Sequence, residues 1–385
     1  MMMKYNNVLL RYTYLLAVLL SITLMSACRK EHSVTPEQET TLFTPDPANT
    51  LKGMYLLNEG NMNMNKASLD YVDFTTGIYR KNIYGQANPS VVKGLGDVGN
   101  DIGVYGSKLY VVVNVSNKLE ILDVKTSKSI KKLDIINCRY VTFHNGKAYV
   151  SAYLGKVGDP KAPNGIVAEI DTATLQITRQ VIVGRQPEEM AIVGDKLYIA
   201  NSGGYSPAKY ESTVSVIDLN SFTEVKRIEV AINLDRVKAD RYGDLYVTSR
   251  GDYYNIPSKL FVIDTHTDAV KKVFDIAASN LCIDDDVAYL YATEWSYPLQ
   301  KNIISYNMIN VKDETLLDKK FITDGTEKQI AIPYGIMVNP VTKEVFVTDA
   351  KDYVTPGTLY CFDPAGKKKW QVTTGDIPAH MAFVH

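Results

Sequence analysis

The sequence predicts an all-β chain folded as a seven-bladed β-propeller closed by its C-terminal strand. Three observations lead there. One strand–loop–strand unit recurs seven times from residue 53 onward. Successive units are 43 to 56 residues apart, in the range of propeller blades, and no helical period competes. The segment Ile377–Val384 reads like the internal segment Gln186–Val193, which suits a strand returning to complete the first unit.

In chain order, the first element is an address. Lys4 and Arg11 precede an apolar run from Tyr14 to Leu24, too short for a comfortable membrane span, so residues 1–27 are expected to be a signal peptide. The run ends Leu24-Met25-Ser26-Ala27-Cys28. Small residues before a cysteine resemble a bacterial lipobox, with Met25 where leucine is preferred. The resemblance implies that Cys28 is lipidated and becomes the mature N-terminus. An ordinary secretory signal beside a coincidental cysteine is the competing reading. Arg29-Lys30-Glu31 resembles the surface-export signal of Bacteroidetes lipoproteins. Residues 28–50 are polar, carry three prolines and lack periodicity, so a lipidated cysteine followed by a flexible tether is expected there.

Residues 51–385 are expected to form the propeller as one domain. The first strand of each unit reads Gly53–Leu57, Lys108–Val112, Lys147–Val150, Lys196–Ile199, Asp244–Val247, Ala288–Tyr291 and Glu344–Val347. The second ends at Asp73, Asp123, Asp171, Asp218, Asp264, Asn307 and Asp363. Each of the Asp residues among them starts a polar turn and is expected to hydrogen-bond within it, so none is a catalytic candidate. Innermost strands are expected near 98–105, 138–144, 187–193, 233–240, 279–284 and 333–339. The first unit lacks one, and residues 377–384 supply it, removing a free sheet edge.

Composition narrows the function. Lys+Arg 42 against Asp+Glu 43 gives a net charge of −1, and nucleic-acid binders carry a basic excess, so that class drops out. The chain has 26 Tyr against 10 Phe and 2 Trp, amphipathic aromatics that suit strands and half-exposed binding surfaces. Cys138, Cys282 and Cys361 have no metal-knuckle spacing and read as buried free thiols.

Strands alternate in direction from the axis outward, A to D, so A–B and C–D turns share one face and B–C and D–A connections share the other. The A–B turns are tight, as at Asn145-Gly146 and Gly194-Asp195. The B–C loops are long and rich in Tyr, Gly and Pro, at 58–68, 151–165, 201–212, 249–258, 293–302 and 349–357. Long aromatic loops gathered on one rim point to binding. The expected ligand contacts are Tyr205, Tyr254, Trp295, Tyr297 and Tyr353 on the rim. Nearer the axis they are Arg139, Tyr140, Glu188, Arg236, Asn280, Tyr334 and His380. For any single tyrosine, packing is the simpler reading; for the set, binding is. No GxSxG, HExxH, P-loop or CxxC occurs, and the five His are scattered, so no catalytic or metal site is expected and the protein is read as a non-enzyme.

With Leu56–Asn61, Ala67–Tyr71, Lys196–Asn201 and Val216–Asp218 in view, the chain resembles the secreted YncE-like, surface-layer-type seven-bladed propellers of Bacteroidetes. Within that group it is similar to the BtuG-type surface lipoproteins. That resemblance implies an outer-membrane, cell-surface lipoprotein, attached through its lipid anchor only. It would capture cobalamin or a related corrinoid and pass it to a TonB-dependent outer-membrane transporter. No individual ligand contact carries over from the resemblance. A glycan- or protein-binding module is the alternative, and a propeller enzyme a distant one.

Overall fold

The computed structural model describes residues 39–385 apart from 157–158, 205, 207 and 297–298. The expected signal peptide, Cys28, Tyr205 and Tyr297 lie outside the described residues. Seven antiparallel sheets follow one another; six have four strands ordered sequentially from the axis outward, while the first takes its inner strand from residues 378–384 and gains a fifth strand outermost. Blade 1 is Pro378–Val384, Gly53–Asn58, Ser68–Asp73 and Ile78–Arg80. Blades 2 to 7 begin with inner strands Gly99–Tyr105, Cys138–His144, Pro187–Val193, Leu234–Ala239, Asn280–Asp284 and Pro333–Val338. The propeller expectation is met.

Burial explains the pattern of the strands. Counted from the axis, second strands such as Gly53–Asn58 and Asp244–Ser249, the first strands of the sequence repeat, are buried at every residue. They are covered on both faces by neighbouring blades and so read as nearly continuous apolar runs. Outer strands such as Ser129–Asp134 are exposed and polar. The core is a set of seven apolar layers, one per blade interface, running from Leu57 against Leu109 and Val111 between blades 1 and 2 round to Leu56 against Phe346 between blades 1 and 7. Burying one Leu, Val or Phe contributes about 1.5–3 kcal/mol, so every interface is a substantial store of stability.

Closure lies where the sequence placed it. Pro378–Val384 pairs with Gly53–Asn58 in antiparallel register, Gly53 opposite Val384 and Leu57 opposite His380. A second clasp corrects the tether expectation. Glu39–Thr41 forms a fifth, outermost strand on blade 1, pairing with Ile78–Arg80. Next to it, Phe43 stacks on Trp370 of the outer strand of blade 7 at 5.7 Å. Part of the segment read as tether therefore straddles the ring seam. Three exposed residues are too short a run for alternation to reveal.

Two further details differ. The second repeat strand of blade 6 ends at Asn310, whose Oδ1 accepts from Lys312 and Asp313 N–H, and not at Asn307. Residues 293–302, read as a loop, continue a hairpin in which Val287–Ser296 pairs with Lys301–Asn310 out to Ser296. The repeat acids cap their turns as expected. Asp171 Oδ1, for example, accepts from Ala173 N–H at 3.0 Å and Thr174 N–H at 2.8 Å. Among the described residues no helix is long and apolar enough to cross a membrane.

Candidate functional site

The site is built by the way the chain enters each inner strand. In five blades the residue just before it has left-handed backbone: Val98 (φ 57°), Asn137 (45°), Gln186 (53°), Asn233 (56°) and Ile377 (56°). Such a φ costs a bulky residue energy, most of all the β-branched Val98 and Ile377. The next residues hold a register shift against the second strand in six blades, as between Pro187 and Met190 opposite Asn201 and Ile199. A bulge bends the strand and re-aims its side chains. The residues at these bulges are Asn100 and Asp101, Arg139 and Tyr140, Glu188 and Glu189, Asp235 and Arg236, Tyr334, and His380. The polar ring round the axis is thus a product of one repeated irregularity.

The same entry residue imports partners from the long loops. Its carbonyl accepts the N–H of the residue following the second strand: Ile377 from Glu59, Val98 from Asn114, Asn137 from Tyr153, Gln186 from Ser202 and Asn233 from Arg250. Glu59 and Arg250 were absent from the sequence-derived set, while Tyr153, read with the loop aromatics as part of the binding rim, is buried. Their signal is positional, since each directly follows the strand of its repeat.

These residues meet in a charge network. Arg139 donates to Glu188 Oε2 from Nε at 3.0 Å and from Nη2 at 2.9 Å. It also donates to the Asn100 side chain. Tyr153 OH donates to Glu188 Oε1 at 2.5 Å, and Arg250 Nη1 lies 3.4 Å from the same oxygen. Arg250 Nη2 reaches Asp235 at 2.7 Å. Burial alone would raise the Glu188 pKa, but Arg139 and Arg250 outweigh it and hold the carboxyl well below its usual range. Glu189, on the same bulge, turns to a different partner, Lys238 Nζ at 2.7 Å. It too is held below its usual value against the effect of burial, by Lys238 and Arg236.

Beside this network Arg236 Nη1 donates to Tyr140 OH at 2.7 Å, with its guanidinium 5.2 Å from the ring centre. His380 stands edge-on to Tyr140 at 6.2 Å, between Asp101 at 3.4 Å and Glu59 at 3.6 Å. Tyr334 OH donates to Glu59 at 3.0 Å, and the Tyr334 carbonyl accepts from Asn280 at 3.4 Å and from Tyr291 OH. Arg139, Tyr140, Glu188, Arg236, Asn280, Tyr334 and His380 therefore lie in one axial cluster. Tyr140 and Glu188 are buried within it.

The rim aromatics stand apart from that cluster. Tyr254 is 71% exposed and Trp295 50% exposed, with Tyr253 and Tyr353 also exposed. Trp295 sits near the tip of the blade 6 hairpin, opposite Asn302. The turn carrying Tyr254 is fixed by Asp252, whose Oδ1 accepts from the N–H of Tyr254, Asn255 and Ile256 at 2.8–2.9 Å. Asp352 does the same for Val354 and Thr355. In both turns the tyrosine after the Asp is left-handed, Tyr253 at φ 65° and Tyr353 at 63°. Strain of this kind, held in place by caps, concentrates at functional sites. Tyr334 packs edge-on against Tyr353 at 5.8 Å, joining rim to axis on the blade 7 side. Arg185, buried, donates to the carbonyls of Pro160 and Lys209 and so pins two neighbouring rim loops.

Below the mouth an axial cavity of about 400 Å³ is lined from all seven inner strands. Its polar lining includes Asp101, Glu189, Arg236, Lys238 and His380. Among the described residues no group of three or more His, Cys, Asp or Glu is disposed to hold a metal ion.

A family model described as a domain of unknown function, DUF5074, matches residues 52–383, the whole ring. The chain belongs to the DUF5074 family. A quinoprotein alcohol dehydrogenase-like protein from Bacteroides thetaiotaomicron is similar in structure to this DUF5074 chain at 16% identity. It aligns over 86% of this chain and 78% of its own, with a TM-score of 0.58. Hydrazine synthase from Kuenenia stuttgartiensis aligns at 15% identity over 69% of this chain and 76% of its own, TM-score 0.55. The computationally designed protein Ika8 aligns at 9% over 84% and 89%, TM-score 0.53. At such identities these likenesses establish the fold alone. No curated protein matches the chain.

Proposed function

We propose that this DUF5074 propeller is a non-enzymatic capture module whose ligand, a corrinoid such as cobalamin, rests on the loop-rich face over the axial mouth. The observation that carries the reading is the exposed aromatic rim of Tyr253, Tyr254, Trp295 and Tyr353 around a polar mouth, with Tyr253 and Tyr353 left-handed in Asp-capped turns. Exposed aromatics on preset turns offer apolar contact area at low ordering cost, and the axial polar groups suit amide side arms. A binding role is favoured over catalysis because Glu188 and Glu189 are held ionised by cations and not poised near neutrality, as a general acid–base would be. The corrinoid itself comes from the resemblance to BtuG-type lipoproteins. So do the lipid anchor at Cys28, the outer-membrane cell-surface location and delivery to a TonB-dependent transporter.

The test is a titration of the protein with cyanocobalamin, followed by calorimetry and by the corrinoid absorption band. Heat and a spectral shift at micromolar protein support the reading. Their absence removes the corrinoid, and binding to a glycan array on the same rim would then install the glycan-binding alternative.

A further inference from the structure

The four cations beside the axial cavity are not equally engaged. Lys238 is committed to Glu189 at 2.7 Å. Arg139 is committed to Glu188 at 2.9 Å, and Arg250 to Asp235 at 2.7 Å. Arg236 is different. Among the described residues its one hydrogen bond from the guanidinium runs from Nη1 to Tyr140 OH. Its nearest carboxylate, Asp235, is 3.6 Å away and already bound by Arg250. Among the described residues its buried Nε has no hydrogen-bond partner and faces Asp235 Oδ2 at 3.6 Å. A guanidinium has five N–H donors, so with one hydrogen bond made Arg236 keeps donors to offer to the cavity it lines.

The surroundings say which acceptor. The cavity that Arg236 lines is ringed by every inner strand. Its carboxylates are occupied: Glu189 accepts from Lys238 and from Val237 N–H, and Asp101 accepts from Val141 N–H and faces His380. A dianionic phosphate would lie against both of these acids. A planar group with one charge or none matches the flat donor fork of arginine without that repulsion.

We propose that the axial cavity receives a planar oxygen-acceptor arm of the ligand, a carboxylate or a carboxamide, whose oxygen accepts from the Arg236 guanidinium. This rests on the capture reading of the loop-rich face and adds what the cavity below it takes. The rim supplies apolar contact, and Arg236 fixes how deep and in which orientation the ligand sits.

The experiment uses the arm alone. Propionate and propionamide, each at millimolar concentration, are presented to the full chain and bound probe is read by saturation-transfer NMR. At least one probe is expected to bind. The signal is expected to survive His144→Ala on the opposite face, to weaken roughly tenfold in Arg236→Lys, which keeps the buried charge but loses the fork, and to vanish in Arg236→Met. Binding of propionate alone assigns a carboxylate arm, and binding of propionamide a carboxamide. No transfer from either probe, or transfer unchanged in Arg236→Lys, overturns the proposal. Cyanocobalamin is not used, so failure of the corrinoid titration and failure of this test are separate results.

Discussion

Glu188 is clamped between Arg139 and Arg250, one on the inner strand of the preceding blade and the other just after the second strand of the following blade, with Arg139 Nη2 2.9 Å from its Oε2. The carboxylate has no exposed surface, so three blades are tied by a charge that water does not reach. Removing one partner of a buried ion pair strands the others, at a cost of about 3–5 kcal/mol. Glu188→Gln is expected to lower the melting temperature markedly at pH 7.

The same residue sets a pH dependence. Its folded-state pKa lies below the ordinary glutamate value, so its contribution is complete above that ordinary value and declines as pH falls toward the folded one. The stability gap between wild type and Glu188→Gln is therefore expected to be constant from pH 7 to about 5 and to shrink at lower pH. Thermal melts across pH 7 to 3 measure it. A gap that widens on acidification would contradict the assignment.

Closure of the ring is tested by deleting residues 376–385. The second strand of blade 1 would lose its inner partner and expose a sheet edge. Aggregation or loss of cooperative unfolding is expected in size-exclusion and calorimetric measurements.

The upstream clasp is tested more gently. Phe43→Ala removes the stack on Trp370 and part of the packing against Phe74. A half-buried aromatic in such a pair is expected to contribute on the order of 1–2 kcal/mol, seen as a lower denaturation midpoint with unchanged ligand affinity.

The rim is tested by Trp295→Ala. An interfacial aromatic that acts as an anchor is worth about 2 kcal/mol or more, which is roughly thirtyfold in affinity for cyanocobalamin. His144→Ala, at an A–B turn on the opposite face, is expected to leave affinity unchanged. The reverse pattern would put the binding face on the wrong side of the ring.

Much of this architecture was legible because a propeller repeats. Val193 and Val384 end inner strands of like composition, and reading one against the other located the seam. The bulges were not legible, since a register shift is decided by how Glu188 and Glu189 pair and not by their identity. Nor was Arg250, whose partner Glu188 lies 62 residues earlier and on another blade. Tyr140 shows a third limit. Sequence marks it as an aromatic near the axis, but only the structure places it under the mouth, buried and bonded to Arg236. Glu39–Thr41 escaped because its pairing is with exposed backbone at the edge of blade 1 and leaves no apolar trace.

The pairing of Gly53 with Val384 also orders folding in time. Blades 2 to 7 each draw all four strands from one stretch of chain, so each has its partners as soon as that stretch is made. Blade 1 begins with the first of these residues and finishes with the last. During synthesis its second strand waits, unpaired on one edge, until six other blades have been translated. Contacts so distant in sequence form slowly, and an open edge in the meantime is a template for the wrong partner. A stop codon a few positions early therefore acts on this molecule as a lesion in its first blade.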